Sequence, residues 1–200
     1  MGDLLDNEEK EDEPEVLDKP GALAEKLSFR ARFILVFGEI THASARATCE
    51  RLIALAEESE APISVLVSSP GGHVESGDAI HDMIRFVRAP VTTIGTGWVA
   101  SAGTHIFLAA PKERRVCLPN TRFMIHQPGG GAGGRASDIA IQAREILRTR
   151  ERVARVVARE TGQSLERVVE DMERDFWMNA QEAIEYGIVS RIIERHQDLS

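Results

Sequence analysis

Cysteine is scarce in this chain: 200 residues hold two, Cys49 and Cys117. That is too few for the bridge framework that stabilises small secreted domains. Each stands among apolar neighbours, Leu52 and Ile53 after one, Val116 and Leu118 around the other, so both read as packed free thiols of a reducing compartment. No apolar run approaches the ~18 residues of a membrane span. The N-terminus is acidic where a secretory signal would carry a basic region and an apolar core. The expected location is therefore the cytoplasm, with no membrane partner. An excess of positive charge is lacking too: Lys and Arg number 24 against 32 Asp and Glu, a net charge of −8. Nine acids among residues 1–18, with Lys10 as the one base, supply all of it, and the remaining 182 residues carry 23 charges of each sign. A neutral body with an acidic end excludes nucleic-acid binding, which draws its affinity from Lys and Arg on phosphates. His-Glu-x-x-His and Cys-x-x-Cys are absent, so a metal site has no support. The glycine-rich stretch 129–134 lacks the Gly-Lys-Ser/Thr of a P-loop, so no ATP site and no cofactor are expected in this chain.

What is present is an ordinary globular composition, 42% hydrophobic and 28% charged. Residues 1–20 are acidic, poor in large apolar groups and closed by Lys19-Pro20; they are expected to be a disordered tail on a domain spanning 21–200. The domain alternates between strand and helix patterns. Residues 29–37 (FRARFILVF) predict a strand, and 43–58 a helix. Residues 63–68 (ISVLVS) form a short apolar run of the kind covered on both faces, ended by Pro70-Gly71-Gly72. A helix is expected over 76–87, where Ile80, Met83, Ile84 and Val87 recur at i, i+3, i+4, i+7. Strand 91–94 stops at Gly95-Thr96-Gly97, and a helix follows over 104–110. Short strands are expected at 116–118 and 123–125. The longest helix runs from an N-cap at Ser137 to a stop at Gly162. A shorter one covers 164–172, Asn179 and Glu182 read as a capping box, and 188–193 is a last strand. Such alternation predicts an α/β fold with mostly parallel pairing.

Three features bear on chemistry. Ser101, in Trp98-Val99-Ala100-Ser101-Ala102-Gly103, sits at a strand-to-helix turn with only Ala and Gly beside it, which leaves its hydroxyl open to a substrate. It can equally be an ordinary N-cap serine. Pro70-Gly71-Gly72 can present free backbone N–H donors, so the amides of Gly72 and Ala102 are candidates for an oxyanion hole; a plain turn is the alternative. His126 ends a strand and is fixed by Gln127-Pro128, a suitable place for a general base. His73, beside Gly72, is the rival base. Asp175, ahead of Phe176 and Trp177 that would shield it from water, is the candidate orienting carboxylate, with Asp171 and Asp138 as rivals.

Taken together, Ser-Pro-Gly-Gly (69–72), Ala-Ser-Ala-Gly (100–103), Cys-Leu-Pro-Asn (117–120), Arg-Phe-Met-Ile-His-Gln-Pro (122–128) and Glu-Arg-Asp (173–175) resemble the ClpP family, the proteolytic subunits of Clp proteases. Ala143–Leu147 and Thr161–Glu166 match as well, and the likeness extends over 33–193. The separations of 29 from Gly72 to Ser101, 25 from Ser101 to His126 and 49 from His126 to Asp175 are those of the family. The resemblance implies a ClpP/crotonase-like spiral of ββα units with a protruding strand-helix handle built from 129–134 and the long helix, where Arg174 matches a charged residue at the junction between rings. It implies a serine endopeptidase with a catalytic triad of Ser101, His126 and Asp175 and an oxyanion hole from Gly72 and Ala102. It further implies self-assembly into two stacked heptameric rings, a tetradecamer, that degrade unfolded polypeptides in protein quality control. An AAA+ Clp ATPase would deliver them and bind the ATP. The chain departs from the family's Gly-Gln-Ala-Ala-Ser-Met-Gly at 97–103, has Ser64 and Leu66 where tyrosines are common, and carries the acidic segment in place of the axial-loop sequence. Two other functions fit a related fold. One is a crotonase-like acyl-CoA hydratase or isomerase, for which Glu75 is the nearest acid. The other is a non-catalytic scaffold subunit, which need not keep Ser101, His126 and Asp175 together.

Overall fold

A computed structural model describes residues 21–131 and 133–199, and the expected tail at 1–20 lies outside them. In chain order the elements are α1 (Ala22–Arg30), β1 (Phe33–Phe37), α2 (His42–Glu58), β2 (Ile63–Ser69), α3 (Val74–Phe86), β3 (Val91–Ala100) and α4 (Ala102–Phe107). There follow β4 (Arg115–Cys117), β5 (Arg122–Ile125), α5 (Ala136–Thr161), α6 (Leu165–Asp171), β6 (Phe176–Asn179), α7 (Ala180–Tyr186) and β7 (Arg191–Ile192). The sheet runs β1-β2-β3-β4-β7 with every pair parallel, as the alternation of elements predicts.

The strand that organises the site is β3. Its first half, Thr93–Gly95, pairs with β4, and its second half, Trp98–Ala100, pairs with β5. Between the halves Gly97 adopts φ +60°, and the register against β2 slips between Val67 and Ser69. The sheet therefore forks, and the second branch is completed by β6 lying antiparallel on β5. Gly95-Thr96-Gly97, expected to end the strand, lies within it. A Cβ on Gly95 would sit 2.9 Å from the Phe123 ring, so this glycine answers a close approach of side chains and not a turn.

Other boundaries move for identifiable reasons. Residues 29–32 are not strand: α1 takes the chain to Arg30, and Arg32 sits at φ +59° while its guanidinium bonds the carbonyls of Leu55, Ser59, Ala61 and Pro62. Helix α5 has its N-cap at Arg135, two residues before the expected Ser137, and ends as expected where Gly162 turns left-handed at φ +80°. The last strand shrinks to Arg191–Ile192, and β6 was not expected at all. The Asn179–Glu182 capping box is formed, with both reciprocal bonds present.

The main core fills the space between sheet and helices, with Leu52, Leu55, Ile63, Val65, Val67 and Phe107 fully buried, and a smaller cluster gathers Ile94, Val116 and Ile193. Of β2, one side is buried and the Ser64, Leu66 and Ser68 side is only half covered, so the strand expected to be covered on both faces leaves one partly open in the single chain. Cys117 is buried and Cys49 half-buried, both as free thiols. Burial pushes the Cys117 thiol up to about 11 and the Cys49 thiol in the same direction, so neither is a ready thiolate at neutral pH. The first half of α5 stands away from the core: the buried residues of this helix, Ala154, Val157 and Thr161, all lie in its second half, and Ile139, Ile141 and Leu147 are exposed. This is the helix of the expected handle; the described residues of 129–134 form no strand. Among the described residues, no helix is long and apolar enough to cross a membrane.

Candidate active site

The fork brings the carboxyl ends of β3 and β5 side by side. Ser101 follows β3, His126 follows β5, and both project beyond the sheet edge where open α/β sheets hold their ligands. The third partner comes by register. Ile125 opposes Phe176 in the antiparallel β5–β6 pair, so the flanking residues His126 and Asp175 face each other. The result is a hydrogen-bonded series: Ser101 Oγ lies 2.8 Å from His126 Nε2, and His126 Nδ1 lies 3.0 Å from Asp175 Oδ1.

Ser101 stands at the N-cap position of α4, but its hydroxyl makes no capping bond. Its backbone is strained, at φ +56° and ψ −121°, a conformation non-glycine residues adopt only where surroundings impose it. The surroundings are visible. The Ser101 N–H donates to Met124 O at 2.9 Å, and Thr104 Oγ1, one turn on, reaches both Val99 O and Met124 O at 2.8 Å. Gly71 packs against the turn so closely that a Cβ there would meet Ser101 Cβ at 2.6 Å. Strain, anchoring bonds and close packing together aim the hydroxyl at the imidazole and away from its own helix.

His126 is held from the chain that follows it. Gln127 N–H donates to Met172 O at 2.7 Å, and the Gln127 side-chain amide donates to Glu173 O at 3.0 Å. Those bonds clamp the loop bearing Asp175 against the loop bearing His126. The expected aromatic shield is not there, however. Asp175 is 61% exposed, because Trp177 turns away to stack 4.4 Å under the Arg122 guanidinium and Phe176 faces Tyr186. In the isolated chain the carboxylate faces solvent.

The rival residues are occupied elsewhere. His73 caps α3, its Nδ1 accepting from the Ser76 N–H at 3.2 Å, and pairs with the exposed Glu75 at 3.3 Å. Asp171 accepts from the Tyr186 hydroxyl at 2.9 Å; burial first, and this carboxylate second, push that phenol well above its usual range. Asp138 lies in the first turn of the exposed half of α5.

The two expected amide donors have no partner among the described residues. Gly72 forms an isolated parallel bridge with Ile40, in which Ile40 N–H bonds Gly71 O and His73 N–H bonds Ile40 O. That pattern turns the Gly72 N–H away from Ile40. Ala102 is the first residue of α4, where no intrahelical acceptor exists for its N–H. Beside Ala102 a narrow cavity opens between Ser101, Ala102 and His126, walled by Val74, Ile125 and Met172 among others. His105, four residues after Ser101 on α4, also lines it. Sequence reading passed over His105 together with the residues that hold it, Asp78 and Arg152; the helical i, i+4 spacing from Ser101 was the only local signal.

A hydroxyl backed by an imidazole, itself backed by a carboxylate, at the end of a forked α/β sheet is the arrangement of a serine hydrolase. The model for the family Clp protease matches residues 22–196. The chain is 50% identical over 195 residues to "ATP-dependent Clp protease proteolytic subunit 3" of Rhizobium etli, covering 98% of this chain and all of that protein. It is 54% identical over 199 residues to "ATP-dependent Clp protease proteolytic subunit 2" of Gluconobacter oxydans, covering 98% and 89%. The solved structure of ClpP1 from Listeria monocytogenes superposes with a TM-score of 0.80 at 48% identity, over 89% of this chain and 99% of that one. The chain belongs to the Clp protease family, and it is a serine endopeptidase of the ClpP type.

Proposed function

We propose that this chain hydrolyses peptide bonds of unfolded polypeptides through an acyl-enzyme, with Ser101 as nucleophile, His126 as general base and acid, and Asp175 as the orienting carboxylate. The observation that carries this reading is the continuous series of 2.8 Å and 3.0 Å contacts among three residues far apart in sequence. As Ser101 Oγ bonds to the peptide carbonyl carbon, its proton passes to His126 Nε2. Asp175 holds Nδ1–H and stabilises the imidazolium that results. The carbonyl oxygen, now an anion, is taken by the free N–H groups of Gly72 and Ala102; each such donor typically contributes ~2.7–4 kcal/mol of barrier reduction. The C–N bond breaks as Nε2 returns the proton to the leaving amine. Water, deprotonated by the same nitrogen, then releases the acyl group and restores the serine. No step requires a metal or cofactor held by this chain.

The exposed apolar residues Ile139, Ile141 and Leu147 on the projecting part of α5 support burial of that helix between stacked rings, in a tetradecamer enclosing the site. An AAA+ Clp ATPase would feed such a chamber, and the cytoplasm is where this system would work. Glu75, the acid on which a crotonase-like reaction would depend, is exposed and paired with His73, which does not favour that chemistry. The test offers the purified particle a denatured polypeptide, a short fluorogenic peptide and an acyl-CoA thioester. New amino termini from the first two are expected. Turnover of the thioester alone, or rings that cleave nothing, would overturn the reading in favour of the hydratase or the scaffold.

A further inference from the structure

The cavity beside Ser101 touches the attacking serine, the base and the Ala102 turn at once, so the side chain preceding the broken bond enters it. This inference rests on the peptidase reading above. Three helices contribute to its wall: α3 through Val74, α4 through Ala102 and Thr104, and α5 through Val153 and Val157. How far apart those helices stand decides what fits. The space they leave is narrow, about 30 Å³ for the centre of a water-sized sphere, which suits a slender chain and not an indole.

Two of these walls meet directly. Gly77 of α3 lies so near the first turn of α4 that a Cβ on it would come within 3.1 Å of Ala102 Cβ. Helix α5 is tied to α3 differently, by an ion pair. Asp78, four residues after Val74 and so on the same side of α3, accepts from Arg152 Nη1 on Oδ1 at 2.6 Å and from Arg152 Nη2 on Oδ2 at 2.7 Å. Arg152 immediately precedes the wall residue Val153. His105 Nε2, from α4, lies 2.9 Å from the same Oδ1. One carboxylate thus joins all three helices behind the cavity. Burial works against the Asp78 anion, but the hydrogen bonds from His105 and Arg152 hold its carboxyl well below the usual range, so the clamp persists at any working pH. Among the described residues the other ion pair between α3 and α5, Arg85 with Glu160 at 3.3 Å, stands about two turns further along α5. With side chains 20% and 46% exposed, the Asp78–Arg152 pair contributes little to stability; its two-pronged form fixes geometry.

We propose that Asp78 and Arg152 set the bore of this pocket: by holding α5 to α3 they keep the Val153 and Val157 wall in place, and so confine cleavage to bonds that follow a slender side chain. Neither residue lines the cavity, so both are positioning residues, acting on the substrate only through the valines of α5 and Val74 of α3. The wall that can yield is the one on α5, because Gly77 already packs α3 against α4. Without the ion pair that wall is free to move outward, and a wider bore admits a bulkier residue.

The test is a pair of fluorogenic peptides identical except for Met or Trp before the scissile bond, cleaved by the assembled wild-type protein and by two variants. Arg152→Met keeps the stem of the side chain without its fork. Asp78→Asn still accepts from His105 Nε2 but offers Arg152 no charge. Wild type is expected to favour the Met peptide by about 10²-fold in kcat/KM, the scale on which a tight pocket discriminates by size. Each variant should lower that ratio about tenfold through faster cleavage of the Trp peptide, with the Met peptide within a few-fold of wild type. The double variant should go no further than either single one, because both remove the same contact. A purely structural loss would slow both peptides together and leave the ratio where it was. The wild-type ratio stands as a test even if neither variant folds. Equal cleavage of the two peptides by wild type, or a ratio unmoved in the folded, assembled variants, would overturn the assignment and leave the peptidase reading intact. An assembled wild type that cleaves neither would overturn both.

Discussion

Ser101→Ala is expected to lower peptide hydrolysis by about 10⁶-fold in kcat while leaving folding and assembly unchanged. The size follows from what the hydroxyl does. Among the described residues its one hydrogen bond is the 2.8 Å contact with His126 Nε2, and it does not cap α4, so its loss removes a reactant and not a support. The anchoring at this turn belongs to the Ser101 backbone N–H, to Thr104 and to Gly71, all untouched by the substitution. His126→Ala should cost nearly as much, and the double variant little more, because serine and histidine act as one unit. A residual rate of ~10³–10⁴ over water would remain from the oxyanion donors and substrate positioning. Steady-state hydrolysis of a fluorogenic peptide, with sedimentation of the same samples, provides the check. Turnover of Ser101→Ala within tenfold of wild type would be incompatible with a nucleophilic Ser101.

The second large effect comes from a residue that touches no substrate. Gly71→Ala is expected to reduce kcat by about 10²-fold, the loss typical when reacting groups are displaced by ~1 Å, with KM changed only a few-fold. Two facts place the strain at the nucleophile. Gly71 holds φ +97°, where an L-residue is disfavoured by ~1–2 kcal/mol. Its new Cβ would lie 2.6 Å from Ser101 Cβ, 2.9 Å from Ala100 O and 3.0 Å from Ala102 N. Two of those three atoms are backbone, so relief requires shifting the very turn that presents the hydroxyl and the Ala102 amide. Kinetics on the folded variant should show the fall in kcat, with a circular dichroism spectrum like that of wild type. An unchanged kcat would mean that the turn tolerates displacement.

How far the sequence reveals this molecule differs between helices and strands. Helices announce themselves locally: Thr41 before α2, Ser164 before α6 and the Asn179–Glu182 box before α7 each make the capping bonds their residue types suggest. Strands depend on partners that sequence does not display. Phe176–Asn179 is strand because β5 offers it an edge, and Gly95-Thr96-Gly97 stays in β3 because the Phe123 ring needs the space a side chain would fill. Of the site, Ser101, His126 and Asp175 were legible through motif and spacing, and the structure brings the three together. The exposure of Asp175 was not, since adjacency to Phe176 and Trp177 says nothing of which way those rings turn. His105, Asp78 and Arg152 were invisible because α4, α3 and α5 meet only in three dimensions.

The most direct measurement is chemical. The assembled protein is treated with a serine-reactive fluorophosphonate, digested, and the adduct located by mass spectrometry. A nucleophile activated by His126 predicts modification at Ser101 alone, and none in His126→Ala. A particle that cleaves peptides yet carries its adduct on another serine, or labels Ser101 equally without His126, would contradict it.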